Sequence, residues 1–114
     1  MQYALLIYEK PDSYEQFTEE QIQAMHGEYM EISRHPGITG GAQLKPIEMA
    51  STVRVKDGEA LITDGPFADT KEVFGGYYVL QADTLDEALD LAARIPAARL
   101  GGSVEVRPLV EMEP

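Results

Sequence analysis

The stretch "QYALLIY" (residues 2–8) decides how the rest of this chain must be arranged. It is rich in strand-forming residues and apolar on both of its alternating faces, as a strand inside a sheet would be. The residues of one face are Tyr3, Leu5 and Ile7, and those of the other are Ala4, Leu6 and Tyr8. The later stretch "GYYVLQA" (residues 76–82) has the same two-sided pattern. We therefore predict that both segments are central strands of a sheet.

Two helices are predicted from their capping signals. Thr18 can cap the first helix, with Gln21 at the capping-box position and apolar residues following at helical spacing. This helix should end by residue 35, because Pro36 follows. Thr84 and Glu87 form a second capping box ahead of another apolar stripe. The chain thus alternates strands and helices.

The remaining strands complete an α+β order. "ITGGAQLKP" (38–46) reads as a weak strand, and "TVRVKDGEALIT" (52–63) as a hairpin that turns at Asp57-Gly58. "SVEVRPL" (103–109) alternates as a half-buried strand does. The order β-α-β-(hairpin)-β-α-β predicts one ferredoxin-like domain with an antiparallel sheet over residues 1–114.

The two-sided strands also predict a partner. Two helices can cover only one face of such a sheet, yet the central strands are apolar on both faces. Association of two chains through their sheets would remove the second face from water. We therefore expect a homodimer that forms a closed, barrel-like α+β core.

Composition excludes several classes of function. The 114 residues are 44% hydrophobic, which is typical of a globular protein, and carry a formal net charge of -11, which repels nucleic acid and anionic membranes. The start of the chain has no basic segment ahead of its short apolar run, so we expect no signal peptide or membrane span and a cytoplasmic location. Cysteine is absent, which removes disulfides and thiolate chemistry.

Neither a metal nor a cofactor is predicted. The two histidines stand nine positions apart, without cysteine or a calcium-loop spacing of carboxylates. No glycine-rich phosphate loop and no GxSxG elbow is present.

His26 and Asp64 are the candidate catalytic residues. His26 falls on the border of the apolar stripe of the first helix, where it is either a hydrogen-bonded structural histidine or a general acid or base facing a cleft. Asp64 opens "DGPF" (64–67), where it either sets up the turn or orients a protonated His26. The spacing alone leaves both choices open.

Three further residues are candidates for substrate binding, two of them after "DGPF" begins and one in the first strand segment. Phe67 could fill the core or wall a substrate pocket, and Lys71 is either solvated or binds an anionic group at the pocket mouth. Tyr8 is a third candidate for substrate binding. Gly75 and Gly76 indicate a bulge or a close backbone approach.

The residues 64–109, "DGPFADTKEVFGGYYVLQADTLDEALDLAARIPAARLGGSVEVRPL", resemble the signature half of the YCII-related, or DGPF-domain, family. "YALLIY" and "MHGEYMEI" are similar to its first half, so the resemblance covers nearly the whole chain. It implies a dimeric α+β barrel and, in the broader group, an active-site dyad of a helix histidine and a loop aspartate. His26 matches the histidine by its place in the first helix, and Asp64 matches the aspartate only by proximity of motif. The resemblance also implies an association with extracytoplasmic-function sigma factors.

Two hypotheses about function follow. The first is a cofactor-free acid-base enzyme, of isomerase, lyase or hydrolase type, that acts on a small organic molecule, with His26 as base and Asp64 as its partner. The alternative is a non-enzymatic dimer that senses a small molecule or binds a protein, linked to sigma-factor regulation. In that second case "DGPF" is purely structural.

Overall fold

A four-stranded antiparallel sheet forms the centre of the protein. The structure, a computed structural model, describes residues 1–11, 13–64 and 72–111. The strands and helices are β1 (Gln2–Glu9), α1 (Glu19–Ser33), β2 (Ile38–Gln43), β3 (Ser51–Lys56), β4 (Glu59–Asp64), β5 (Val73–Gln81), α2 (Leu85–Ala93) and β6 (Ser103–Pro108). In the sheet the strands lie in the order β2-β5-β1-β6, so β1 and β5 are the two inner strands as expected. This arrangement confirms the predicted ferredoxin-like α+β fold.

One face of the sheet carries the hydrophobic core. The alternate residues Tyr3, Leu5 and Ile7 of β1 are buried there against side chains of both helices, including Ile32 of α1 and Leu91 of α2. Burying a side chain of this size contributes about 1.5–3 kcal/mol, so this face supplies much of the driving force for folding. We call it the helix-covered face.

On the opposite face of the sheet, no helix of the described residues is packed. Its residues on the inner strands include Ala4, Leu6, Tyr8, Tyr77 and Val79, all only partly buried. The ring of Tyr8 lies 5.6 Å, centroid to centroid, from that of Phe74, its partner across the β1–β5 pair. We call this apolar surface the open face.

Both helices begin at the predicted caps. Thr18 Oγ1 accepts a hydrogen bond from the Gln21 amide at 3.2 Å, and the Gln21 side chain accepts one from the Thr18 amide at 2.9 Å. This reciprocal pair confirms the capping box of α1. At α2 the Thr84 hydroxyl accepts from the Glu87 amide at 3.2 Å, but the Glu87 carboxylate accepts from the amide of Asp83, one residue before the cap. The second box is therefore confirmed in its hydroxyl half only.

The predicted hairpin forms a sheet of its own from β3 and β4. Asp57 and Gly58 both have positive φ angles, 52° and 81°, as a tight two-residue turn requires. Val53, Val55 and Ile62 of this hairpin are each at least 60% exposed. The Cα radius of gyration is 16.2 Å, against roughly 13 Å for a compact domain of about 100 residues. The hairpin thus leaves apolar side chains in solvent and contributes to an extended shape.

The glycine pair Gly75-Gly76 lies inside β5 and forms the bulge that the sequence predicted. Ile7 pairs with Gly76 and Tyr8 with Phe74, so Gly75 is the additional residue of a β-bulge. A Cβ atom on Gly76 would lie 2.8 Å from the Ala42 carbonyl oxygen, which explains why this position has no side chain.

Among the helices of the described residues, none has both the length and the apolar character needed to span a membrane.

Candidate functional site

A cavity of about 360 Å³ lies between α1 and the helix-covered face of the sheet. His26, Tyr29, Met30 and Ser33 line it from α1, at the spacing of one helix face. Strands β1, β2 and β5 line it from the sheet. Its volume lies at the small end of the range for ligand sites in proteins, about 300–1,000 Å³.

Glycines make the room for this cavity. Gly41, Gly75 and Gly76 all line it, and none of them can fill the space with a side chain. A Cβ on Gly41, whose φ is +151°, would lie 2.5 Å from the Tyr77 carbonyl oxygen. Glycine at this position thus lets β2 lie close to β5, and the cavity lies at the end of the sheet where these glycines present no side chain.

Glu9 places a carboxylate in the cavity wall. It follows Tyr3, Leu5 and Ile7 in the alternation of β1, so its side chain points to the helix-covered face. The Tyr14 hydroxyl donates a hydrogen bond to Glu9 Oε1 at 3.0 Å. Burial, together with the charge of Glu9 and this hydrogen bond, raises the pKa of Tyr14 to about 12. Tyr14 is therefore a neutral hydrogen-bond donor at physiological pH.

Two further tyrosines form the aromatic wall. The Tyr78 hydroxyl donates to the backbone carbonyl of Tyr29 at 2.9 Å, which ties β5 to α1. Burial raises the pKa of both phenols, and for Tyr29 the neighbouring Glu9 charge adds to the effect. Both rings thus stay uncharged, and the wall combines neutral aromatic surface with one carboxylate.

His26 places an imidazole at the edge of the cavity. It is exposed on α1, one turn before Met30, and both side chains line the cavity. No hydrogen bond joins its ring to another described side chain or backbone group. An exposed imidazole without a structural partner can exchange protons with a bound molecule and with solvent.

Of the other predicted site residues, the two that the structure describes, Asp64 and Tyr8, do not line this cavity. Asp64 ends β4, is exposed, and accepts a hydrogen bond from the Ser51 hydroxyl at 3.2 Å. It is not among the described residues that line the cavity with His26. Tyr8 lies on the open face. Phe67 and Lys71 fall outside the described residues, so their roles stay predictions.

Four residues that the sequence pattern did not single out as site residues also line the cavity: Glu9, Tyr14, Tyr29 and Tyr78. A signal for Glu9 was present, because the alternation that buries Tyr3, Leu5 and Ile7 places a carboxylate next on the same face. The tyrosines had no such signal, since their hydroxyls find partners only once β1, α1 and β5 are packed together.

Within the ranges that the structure describes, no three histidine, aspartate or glutamate side chains come together as metal ligands would.

Comparison with known proteins gives a family for the chain. Residues 1–113 match the family model described as the YCII-related domain. The chain is also 35% identical, over an alignment of 122 positions, to an uncharacterized protein of Rhizobium meliloti (strain 1021). That alignment covers 100% of this chain and 96% of the relative.

Proposed function

The chain belongs to the YCII-related domain family, and we propose that it is a cofactor-free acid-base enzyme that binds a small organic molecule in the cavity beside α1. The observation that carries this proposal is the position of His26 on a cavity of about 360 Å³ whose other walls are apolar, aromatic and carboxylate groups. An imidazole at the edge of a partly apolar cavity is suited to take a proton from one atom of a bound molecule and return it to another.

The reaction classes that fit are isomerisation, lactone or enol chemistry, and dehydration. In an isomerisation His26 would remove a proton from a carbon next to a carbonyl group, and the protonated ring would return that proton to a different atom of the same molecule. No oxidant, reductant or cofactor is needed for this exchange. General acid-base catalysis by one such side chain contributes about 10²- to 10⁴-fold to a rate.

Asp64 belongs to the proposal as the partner that orients protonated His26. This role requires the carboxylate to come within hydrogen-bond reach of the ring, directly or through one water. In the structure the Asp64 carboxylate accepts a hydrogen bond from the Ser51 hydroxyl. If Asp64 is the partner, Asp64→Asn reduces turnover while Ser51→Ala, which only removes that local bond, does not.

We also propose that two copies of the chain associate through the open face. The support is the run of partly buried apolar residues on that face, together with the exposed valines and isoleucine of the β3–β4 hairpin. Soluble monomers rarely leave contiguous apolar surface of this kind uncovered.

The same open face favours the second candidate function. A dimer that senses a small molecule, or that binds a protein such as a sigma factor, would use the cavity for recognition without turnover. The two functions differ in what His26 does: in the enzyme it moves a proton, and in the sensor it contributes at most to binding.

The test begins with a thermal-shift screen of small carbonyl and lactone compounds, followed by proton exchange of each stabilising compound in D₂O, measured by NMR. We expect the wild type to catalyse exchange and His26→Ala to lose about 10²-fold or more of the rate. The matched control is His35→Ala, because His35 lies past the end of α1 and its ring accepts a hydrogen bond from the Gly37 amide instead of lining this cavity.

Stability separates catalysis from packing in the same experiment. Because His26 is exposed, His26→Ala should change the free energy of unfolding by less than about 0.5 kcal/mol. A loss of about 1–3 kcal/mol would instead assign the residue to packing. Binding without exchange by the wild type would favour the sensor, and equal rates in the wild type and His26→Ala would contradict the proposed mechanism.

A further inference from the structure

Only one of the two carboxylate oxygens of Glu9 accepts a hydrogen bond from the described residues. Its Oε1 atom accepts the hydroxyl of Tyr14 at 3.0 Å, whereas its Oε2 atom accepts no hydrogen bond from any described residue. A Cβ atom added to Gly75 would lie 3.1 Å from Oε2. The glycine at this position therefore leaves the second oxygen uncovered on the side where Gly75 and Glu9 both line the cavity.

The surroundings of Glu9 favour a positive partner. Among the described residues that line the cavity there is no lysine or arginine. Lys10 lines a smaller pocket that shares Glu9 and Tyr14, but no ion pair joins it to Glu9. Four described tyrosines line the cavity; Tyr77 belongs by its pairing to the open face, which leaves Tyr14, Tyr29 and Tyr78 beside the carboxylate. Neutral aromatic rings attract organic cations, and a partly buried carboxylate stabilises one strongly.

We propose that the cavity selects molecules that carry a protonated amine on an apolar or aromatic body, with the ammonium group donating to Glu9 Oε2. This inference rests on the proposed function, since it names the ligand class of the same cavity. Tyr14 holds the carboxylate in place through Oε1, and the tyrosine wall receives the body of the ligand. The formal net charge of -11 raises the local concentration of cations further.

A cationic ligand held by Glu9 is the opposite of the anionic ligand that the sequence predicts for Lys71 at the pocket mouth. An anionic ligand would meet the Glu9 charge inside the cavity, and like charges in a partly desolvated site repel each other. The charge of the ligand that binds therefore shows whether Glu9 or Lys71 anchors it.

The experiment is an NMR titration of the ¹⁵N-labelled protein with three probes that share one phenyl ring: phenethylamine, 2-phenylethanol and 3-phenylpropionate. At pH 8 we expect phenethylamine to shift the amides of Glu9, Gly41, Gly75 and Gly76, with an affinity about tenfold higher than that of the neutral alcohol. The propionate should not shift these amides at the same concentrations.

Two variants test the anchor itself. Glu9→Gln keeps the size of the side chain and removes its charge, so it should abolish the preference for phenethylamine over the alcohol. Gly75→Ala covers Oε2 with a methyl group and should weaken phenethylamine while it affects the alcohol less. Gly27→Ala is the control, because Gly27 lies on α1 outside the cavity lining and an added Cβ meets nothing within 4 Å.

The outcomes separate this inference from the proposed function. If the alcohol or the propionate shifts the cavity amides as strongly as the amine does, the selectivity for amines is overturned and the cavity stands as a binding site. A preference for the propionate that is lost in Lys71→Ala would assign the anchor to Lys71. If none of the probes shifts these amides, both the ligand class and the cavity as the binding site are refuted.

Discussion

Leu5 and Leu6 are neighbours of the same type on the same strand, yet they lie in two different environments. Leu5 is fully buried on the helix-covered face, beneath side chains of α1 and α2. Leu6 points to the open face and is only partly buried. The strand itself does not distinguish them, since both faces of β1 are apolar along most of their length. The difference shows that the helices of the chain cover one face of its sheet and leave the other face partly exposed.

The helix-covered face is itself divided. At the Leu80 end α2 packs on the sheet and the core is filled, whereas at the Gly76 end glycines replace side chains and the cavity opens. A filled core favours stability, and a cavity with a carboxylate and a histidine favours binding. The helix-covered face and the open face can therefore each be tested by a substitution that should leave the other face unaffected.

The largest expected effect comes from truncation of the two leucines. Leu5→Ala removes fully buried methyl groups and should lower the free energy of unfolding by about 2–5 kcal/mol. Leu6→Ala should cost less than about 1 kcal/mol in a dilute monomer, because its side chain is already partly hydrated. Urea unfolding at submicromolar protein concentration measures both.

The same pair of variants also reports on association. If the open face is an interface, the cost of Leu6→Ala should rise with protein concentration, whereas that of Leu5→Ala changes little. Equal costs for the two variants at every concentration would refute the distinction between the faces.

Much of this architecture could be predicted from the sequence, because local chemistry determines it. The threonine caps, the Asp57-Gly58 turn and the glycine bulge each depend on residues within a few positions of one another, and the structure has all of them. The central position of β1 and β5 followed from their two-sided apolar pattern. These features need no knowledge of distant contacts.

The site could be predicted only in part. Helical spacing predicts that His26 lies on the border of the apolar stripe of α1, and His26 does line the cavity. Tyr8 does not share this cavity with His26, because the alternation of β1 separates Tyr8 from Ile7 and hence from the helix-covered face. The bond between Glu9 and Tyr14 depends on how the segment after β1 packs against the strand, which no spacing rule gives.

A second prediction concerns the open face alone. Val79→Glu introduces a charge among its apolar residues and should raise the dimer dissociation constant by about a hundredfold, since a charge buried without a partner costs several kcal/mol. Sedimentation equilibrium at micromolar concentration measures this shift. Val110→Glu is the matched control, because Val110 is 83% exposed and lies beyond the last strand.

Salt provides a further check on the same interface. Each chain carries a formal charge of -11, so two copies repel each other and higher salt should strengthen the wild-type dimer. A wild type that sediments as a 12.6 kDa species at all salt concentrations would contradict the dimer.

The smallest expected effect lies at the cavity end of the helix-covered face and appears only in alkaline solution. Burial and the charge of Glu9 raise the pKa of Tyr14 from 10.0 to about 12 in the folded protein, so the native state holds this proton after the unfolded chain has lost it. The stabilisation that Tyr14 provides is therefore fully present below pH 10 and is lost as the pH rises through about 12.

Comparison with Tyr14→Phe isolates this contribution, because every other titrating group is common to both proteins. The variant lacks the hydrogen bond to Glu9 and should be less stable by about 1 kcal/mol at pH 8. Between pH 10 and 12 the wild type should lose this advantage, so the two free energies of unfolding converge. Urea unfolding at pH 8, 10 and 11 measures the gap. A gap that stays constant across this range would mean that Glu9 and Tyr14 are not coupled in the folded protein, and that the carboxylate is not held in the cavity wall by the phenol.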